Sequence, residues 1–266
     1  TKPLVFTFWV CALSLLTFVL APFGLHWPGW SWLAFDLLTG AVFFLTLLAF
    51  YKALDINETS RVAPAVGGLT PIFVLIFSYF FLGDALGWVQ LLAFSFLVLG
   101  GFLISLERTR NSFREGLKGL GIIAWAIVLG AVYLVMLKYL FGFQNFITGF
   151  IWSRLGLFIA TLIILVWPAW RLEVFSSARQ ASAGLGSLMV GTKIMAGFGS
   201  LFVSLAVSRG NVSLVNALQG SEYAFLFLMT LLLSRRFPDI LREKLNSAII
   251  FQKFAAIVLI CLGLVL

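Results

Sequence analysis

Three ionisable side chains, Arg154, Lys193 and Glu222, stand inside long apolar runs of the chain. A charge at the centre of a lipid-embedded helix costs about 2.5–3.5 kcal/mol on insertion scales, so each needs a partner or a task. Counted from the ends of their runs they lie about 18, 14 and 17 Å deep, taking about 1.5 Å per residue, which places them near one level. A Lys193–Glu222 pair would lower the cost of burying either charge. Two readings compete. One is a permanent structural ion pair, with Arg154 anchored on backbone carbonyls or facing water. The other is a cavity-lining set that binds a charged or zwitterionic substrate, or exchanges a proton. Asn216, Gln219, Glu222 and Tyr223 recur at spacings of three and four, which puts them on one helix face. A polar stripe in a lipid-embedded helix must face protein or water. Trp125 and Tyr133, on the run at 118–140, offer ring surfaces. These eight residues are the candidate substrate ligands.

Catalytic chemistry has little to stand on. There is no Walker A sequence, no HExxH and no GxSxG. Cys11 and Cys261 sit in apolar runs and read as small core hydrophobes, with no CxxC spacing for a metal. His26 lies among Trp27, Pro28, Gly29 and Trp30, as in an aromatic belt at a membrane surface. No metal site and no cofactor is expected. Asp36 and Asp84 fall near the ends of their runs on the extracytoplasmic side, where solvation accounts for them.

The elements that position these groups follow from composition. Apolar residues make up 62% of the chain and charged ones 11%, against about 25% charged in soluble domains. Mean hydropathy is +1.09. That much apolar surface cannot be hidden in a soluble core of this size, so lipid must be its solvent. The apolar runs are unbroken and about 20 residues long, which selects helices over barrel strands. The net charge of +8 sets topology in such a chain, and nucleic acid is not an expected partner.

Nine spans are predicted, at 4–22, 31–52, 60–81, 87–106, 118–140, 143–166, 184–207, 210–233 and 247–266. Polar stretches and breakers separate them, among them Pro22 to Trp30, Glu107 to Lys118 and Trp167 to Ala183. One side collects Lys2, Lys52, Arg61, Arg108, Arg110, Arg114, Lys118, Arg171, Arg179, Arg235, Arg236, Arg242, Lys244 and Lys253, and the other only Lys138 and Arg209. The positive-inside rule makes the first side cytoplasmic, with the start of the chain inside and Leu266 outside.

Shifting the chain against itself by 153 residues sets Ser60 on Ser213, Val62 on Val215 and Gly67 on Gly220. The displacement is five spans, an odd number, so the two copies cross the membrane in opposite directions. An inverted repeat of this kind marks transporters with a site near the midplane. The span at 118–140 has no counterpart in the first copy. A ten-helix protein would supply one before Thr1, so a first helix upstream is expected. Glycines at Gly67-Gly68, Gly100-Gly101, Gly191, Gly197 and Gly199 are expected to let helices approach closely. Gly197 and Gly199 could also soften their helix.

The residues Thr59-Ser-Arg-Val-Ala-Pro, Leu69-Thr-Pro-Ile-Phe, Leu82-Gly-Asp, Gln90-Leu-Leu and Leu99-Gly-Gly resemble the EamA-type branch of the drug/metabolite transporter superfamily. Asp84 stands where that pattern usually has Glu. The second half resembles it less closely: Leu233-Ser-Arg-Arg-Phe-Pro replaces the turn and adds several residues, while Gln252 and Gly263 keep the later part. The resemblance implies an all-α polytopic membrane protein of two inverted five-helix repeats, 1–112 and 113–266, nine of whose transmembrane helices are visible. It implies a transporter that exports or takes up small metabolites without ATP hydrolysis; the expected function is export of a small polar or amphipathic metabolite by alternating access, with proton coupling as an option. The expected surroundings are a lipid bilayer, the cytoplasmic membrane of a prokaryote. The rival readings are a flippase for a lipid-linked intermediate and a non-transporting receptor or scaffold.

Overall fold

A computed structural model describes residues 3–57, 59–105, 117–166, 168–180, 183–222, 224–225, 229 and 247–266. Among them no strand occurs. The order is α1 (Pro3–Ala12) continued by a 3-10 helix η1 (Leu13–Phe23), then α2 (Trp30–Ile56), α3 (Thr59–Leu82), α4 (Trp88–Ser105), α5 (Leu117–Phe143), α6 (Phe146–Val166), α7 (Pro168–Gln180), α8 (Ala183–Arg209), α9 (Val212–Leu218) and α10 (Ser247–Val265). Six of these stretches are long and apolar enough to cross a membrane, and α4 and α10 carry shorter apolar helices. The chain is a polytopic α-helical membrane protein. The eighth expected span is described only from its start at α9, and the basic residues of 106–116 and 230–246 lie outside the described residues.

Local chemistry sets the element ends. Gly29 at φ 89° precedes α2. Gly83 at φ 69° closes α3, and the Asp84 N–H reaches back to the Ser78 carbonyl at 3.3 Å. Only glycine adopts such angles without strain. The Asn211 side chain caps α9 by accepting from the N–H groups of Ser213 and Leu214.

The structure departs from three expectations. The stretch Trp167 to Ala183 was expected as a polar loop, yet 168–180 is helical. Pro168 opens α7 at the first helical position, where its missing N–H costs nothing, and Val174 is fully buried. The first span is not one α-helix. The hydroxyls of Ser14 and Thr17 bond carbonyls three residues back, at 2.6 and 2.7 Å, within the tighter winding of η1. The span at 210–233 is not continuous either. From Gln219 to Glu222 the bonds run three residues back, Gln219 N–H to Asn216, Gly220 to Ala217 and Glu222 to Gln219.

Two compact units divide the chain, and each takes elements from both sequence halves. Unit one is Thr1–Asn57 with Gly116–Gly210, and unit two is Glu58–Glu115 with Asn211–Leu266. In unit one α2 lies between α5 and α6. Along α2, contact with α5 runs backwards, Trp32 to Phe143, Phe35 to Tyr139 and Phe43 to Tyr133. Contact with α6 runs forwards, from Trp27 on Trp152 to Phe44 beside Leu157 and Ile164. Antiparallel to α5 and parallel to α6 is what alternating crossings require. The α2–α6 crossing is backbone against backbone: a Cβ on Gly40 would strike the Ser153 carbonyl and the Leu157 amide, and one on Gly156 would meet the Leu37 carbonyl oxygen at 2.5 Å.

Lys138, one of two cations expected outside, donates to the carbonyls of Val207 at 3.1 Å and Gly210 at 2.8 Å. A cation there completes the C-terminal end of α8. Lys138→Met leaves those carbonyls unpartnered, at a cost of about 1–3 kcal/mol. Thermal unfolding in detergent should show a lower midpoint than the parent, and an equal one would deny Lys138 this role.

Unit two holds a reciprocal contact. Gly100 of α4 takes Ala256 and Ile260 of α10, while Gly263 of α10 takes Ala93 and Leu97 of α4. The pairs 100 and 263, 93 and 256, 97 and 260 are each 163 residues apart, so the two antiparallel helices offer each other the same pattern. Gly101 likewise lies against Gly220, which a Cβ on Gly101 would meet at 3.0 Å. Close approach is thus the use of Gly68, Gly100 and Gly101. Among the described residues it is not the use of Gly191, Gly197 or Gly199, where an added Cβ would meet nothing within 4 Å.

Candidate functional site

Arg154 sits on the buried face of α6 and is 5% exposed. Its Nη2 donates to the Ser200 hydroxyl of α8 at 2.7 Å and reaches the Tyr133 hydroxyl of α5 at 3.5 Å. Two rings flank the guanidinium, Phe43 at 4.9 Å and Phe150 at 4.8 Å. Phe43 in turn stacks on Tyr133 at 4.2 Å. Among the described residues no carboxylate pairs with Arg154. Each such ring contact contributes about 0.5–2 kcal/mol, which offsets part of the cost of keeping the cation in place.

Lys193 is also in unit one. Its Nζ lies 3.9 Å over the ring of Phe6 in α1. It precedes Ser200 by seven residues, two turns of α8, so the two share a face about 10 Å apart. Arg154 and Tyr133 are therefore brought together, with Lys193 further along the same face of α8. Trp125 is 62% exposed and, eight residues before Tyr133, about 80° round α5 from it. A cation with free donor valence beside hydroxyls and stacked rings suits a carboxylate or other oxyanion carried on an apolar or aromatic body.

Unit two carries the rest. Asn216 is buried and its Oδ1 has no partner. Gln219 is half-buried and Glu222 exposed. Tyr223 lies outside the described residues. The change from α-helical to tighter bonding at Gln219 falls within this stripe. Broken helices of this kind occur at transporter sites, where irregular backbone lines a cavity.

Sequence reasoning missed Phe43, Phe150, Ser200 and Phe6. Only Ser200 carried a signal, its seven-residue spacing from Lys193. It also misread Asp36. Expected to be solvated, Asp36 is fully buried and accepts one bond, from Gln144 Nε2 at 3.2 Å. The cause is α2's place between two helices, with Trp32 and Phe35 closing on Tyr139 and Phe143 around it. His26 does lie in an aromatic cluster, its carbonyl taking the Trp152 indole N–H, with Trp27 edge-on to Trp30 and Trp152.

Residues 1–106 match the profile described as the EamA-like transporter family. A curated protein of a Sinorhizobium species, described as an uncharacterized transporter in the cobO 3' region, is 35% identical over 78 residues. That alignment takes in 29% of this chain and 54% of the relative, so the chain spans about half the length of the curated relative it matches. A solved crystal structure, described simply as that of a protein, superposes with a TM-score of 0.64 at 17% identity, covering 99% of this chain and 88% of that one. At that identity the likeness speaks for the fold alone.

Proposed function

We propose that the chain, whose residues 1–106 match the EamA-like transporter family, is a secondary transporter exporting a small polar or amphipathic metabolite by alternating access. The observation that carries the proposal is Arg154. A buried cation with no carboxylate partner among the described residues, presented on hydroxyls and rings, is costly in lipid unless a ligand uses it. The proposed ligand of Arg154, with Tyr133 and Lys193, is an acidic group on the substrate. In unit two the proposed polar ligands are Asn216, Gln219 and Glu222, with Tyr223 as a ring contact, and in unit one Trp125 is proposed as another. The reciprocal packing of α4 on α10 supports the inverted repeat of 1–112 and 113–266. The proposed location is a prokaryotic cytoplasmic membrane.

Metabolite profiling of cells with and without the gene tests this reading. Export predicts that one or a few small acids rise in the medium and fall in the cell when the chain is made. Cells making the Glu222→Gln chain should show a smaller shift if Glu222 contacts the substrate. Identical profiles with and without the gene, across growth conditions that load the cell with organic acids, would remove the transporter reading.

A further inference from the structure

We propose that Asp36 and Gln144 form a proton-binding site, in which Asp36 takes up and releases the proton that drives transport; the link to transport rests on the reading above. Asp36 is the one carboxylate among the described residues that is fully buried. It stands about 9 Å into α2 from Trp30, counting about 1.5 Å per residue. Its Oδ2 accepts from Gln144 Nε2 at 3.2 Å, and two acceptors of the pair, Asp36 Oδ1 and Gln144 Oε1, are buried with no partner. The pair thus has bare acceptors and lacks a donor. A buried carboxylate with one hydrogen bond and no counter-charge is expensive, and an unmet buried acceptor adds about 1–3 kcal/mol. A proton on Oδ1 removes the charge and supplies the missing O–H donor in one step.

The titratable and charged groups on the elements packed against α2 do not relieve it. On α5, Lys138 is committed to the carbonyls at the end of α8, Tyr139 packs edge-on to Phe35, and Tyr133 faces Arg154. On α6, Arg154 is held by Ser200 and its rings. Cys11 of α1 is buried in the cluster around Phe44 and Leu157. In the loop before α2, His26 Nδ1 lies 2.8 Å from the Gly24 carbonyl and 3.1 Å from Asn145 Nδ2, and bonds one or the other according to its tautomer.

The site has a mechanical connection to the substrate residues. Phe43, the ring beneath Arg154, follows Asp36 by seven residues, so both lie on one face of α2 about two turns apart. A change of charge at Asp36 alters how α2 seats against Gln144 and α5. The same helix carries the floor of the Arg154 site.

The test uses the full chain in lipid nanodiscs and infrared difference spectra between acid and alkaline buffer, which report the C=O stretch of a protonated carboxyl without any substrate. The parent should show a band that comes and goes with pH. Asp36→Asn, neutral and of the same shape, should fold and lose that band, while Asp84→Asn and Glu222→Gln keep it. A band that survives Asp36→Asn unchanged overturns the proposal, as does a parent with no titrating buried carboxyl. A parent stabilised by sodium in place of acid, with that response lost in Asp36→Asn, overturns the proton in favour of a metal cation. Because the spectra need no transport, a chain that moves no metabolite yet shows the Asp36 band loses the transporter reading and keeps the proton site.

Discussion

Gly40→Val should yield a chain that melts far below the parent or fails to accumulate folded, whereas Gly197→Ala and Gly199→Ala should melt at or above it. At Gly40 the Cβ position is already taken by backbone, the Ser153 carbonyl and the Leu157 amide. A side-chain neighbour could swing aside, but a helix backbone must translate as a whole. Overpacking costs about 1–3 kcal/mol even when side chains absorb it, and more when the backbone has to move. Against a total stability of about 5–15 kcal/mol that is a large fraction. Displacing α2 from α6 also moves Phe43 from beneath Arg154, so any folded remainder should transport poorly. At Gly197 and Gly199 the arithmetic reverses. Among the described residues nothing stands within 4 Å, and alanine in a helix gains about 0.5–1 kcal/mol over glycine. Thermal unfolding of the purified chains checks both halves. A Gly40→Val midpoint equal to the parent's would mean that α2 and α6 do not touch there. Stable Gly197→Ala and Gly199→Ala chains that have lost transport would restore the idea that these glycines soften α8.

The contrast between those glycines shows what the sequence could and could not carry. Apolar runs of membrane length announce themselves by composition, so most of the spans were legible, including the alternation that leaves α2 parallel to α6. Which glycine faces a neighbour depends on crossing points, and those are set by helices far apart in the chain. Gly40 and Gly156 looked ordinary, while the conspicuous group at Gly191, Gly197 and Gly199 meets open space. The candidate site divides along the same line. Arg154, Lys193 and Tyr133 could be named because charge, or a ring near it, is rare inside such runs. Phe43 and Phe150 could not be named, being two of 29 phenylalanines. Asp36 was misjudged for a different reason. Its distance along the helix from a span end was read as nearness to water, but burial at a membrane surface is decided by what packs over it, here Gln144 and the rings of α5. The break at Gln219 was hidden by a helix-forming pattern on both sides, and close contact between Gly220 and Gly101 gives no periodic signal.

Arg154→Leu should leave the protein folded, level with the parent in stability or modestly below it, and cut transport by about 10- to 100-fold. The two halves come from different terms. A cation at this depth costs about 2.5–3.5 kcal/mol, and the leucine chain no longer bears that cost. What leucine loses is two ring contacts of about 0.5–2 kcal/mol each and the bond to Ser200, near 2 kcal/mol with a charged donor. Losses of about 3–6 kcal/mol offset or modestly exceed that gain in the empty protein. With an acidic substrate bound the loss is larger, because a charge-assisted bond of about 1.5–3 kcal/mol disappears and the acid is left facing leucine. At about 1.4 kcal/mol per factor of ten, that loss gives the stated range. Arg154→Lys keeps the charge but not the planar fork, so it should fall between the two, with its defect in apparent affinity more than in maximal rate. Efflux from preloaded cells and thermal unfolding of the same chains separate the possibilities. A midpoint that drops sharply in Arg154→Leu together with transport would make Arg154 a structural residue. Transport that survives at full rate in a stable Arg154→Leu chain would move the substrate's acid to Lys193, whose own replacement by methionine then becomes the deciding measurement.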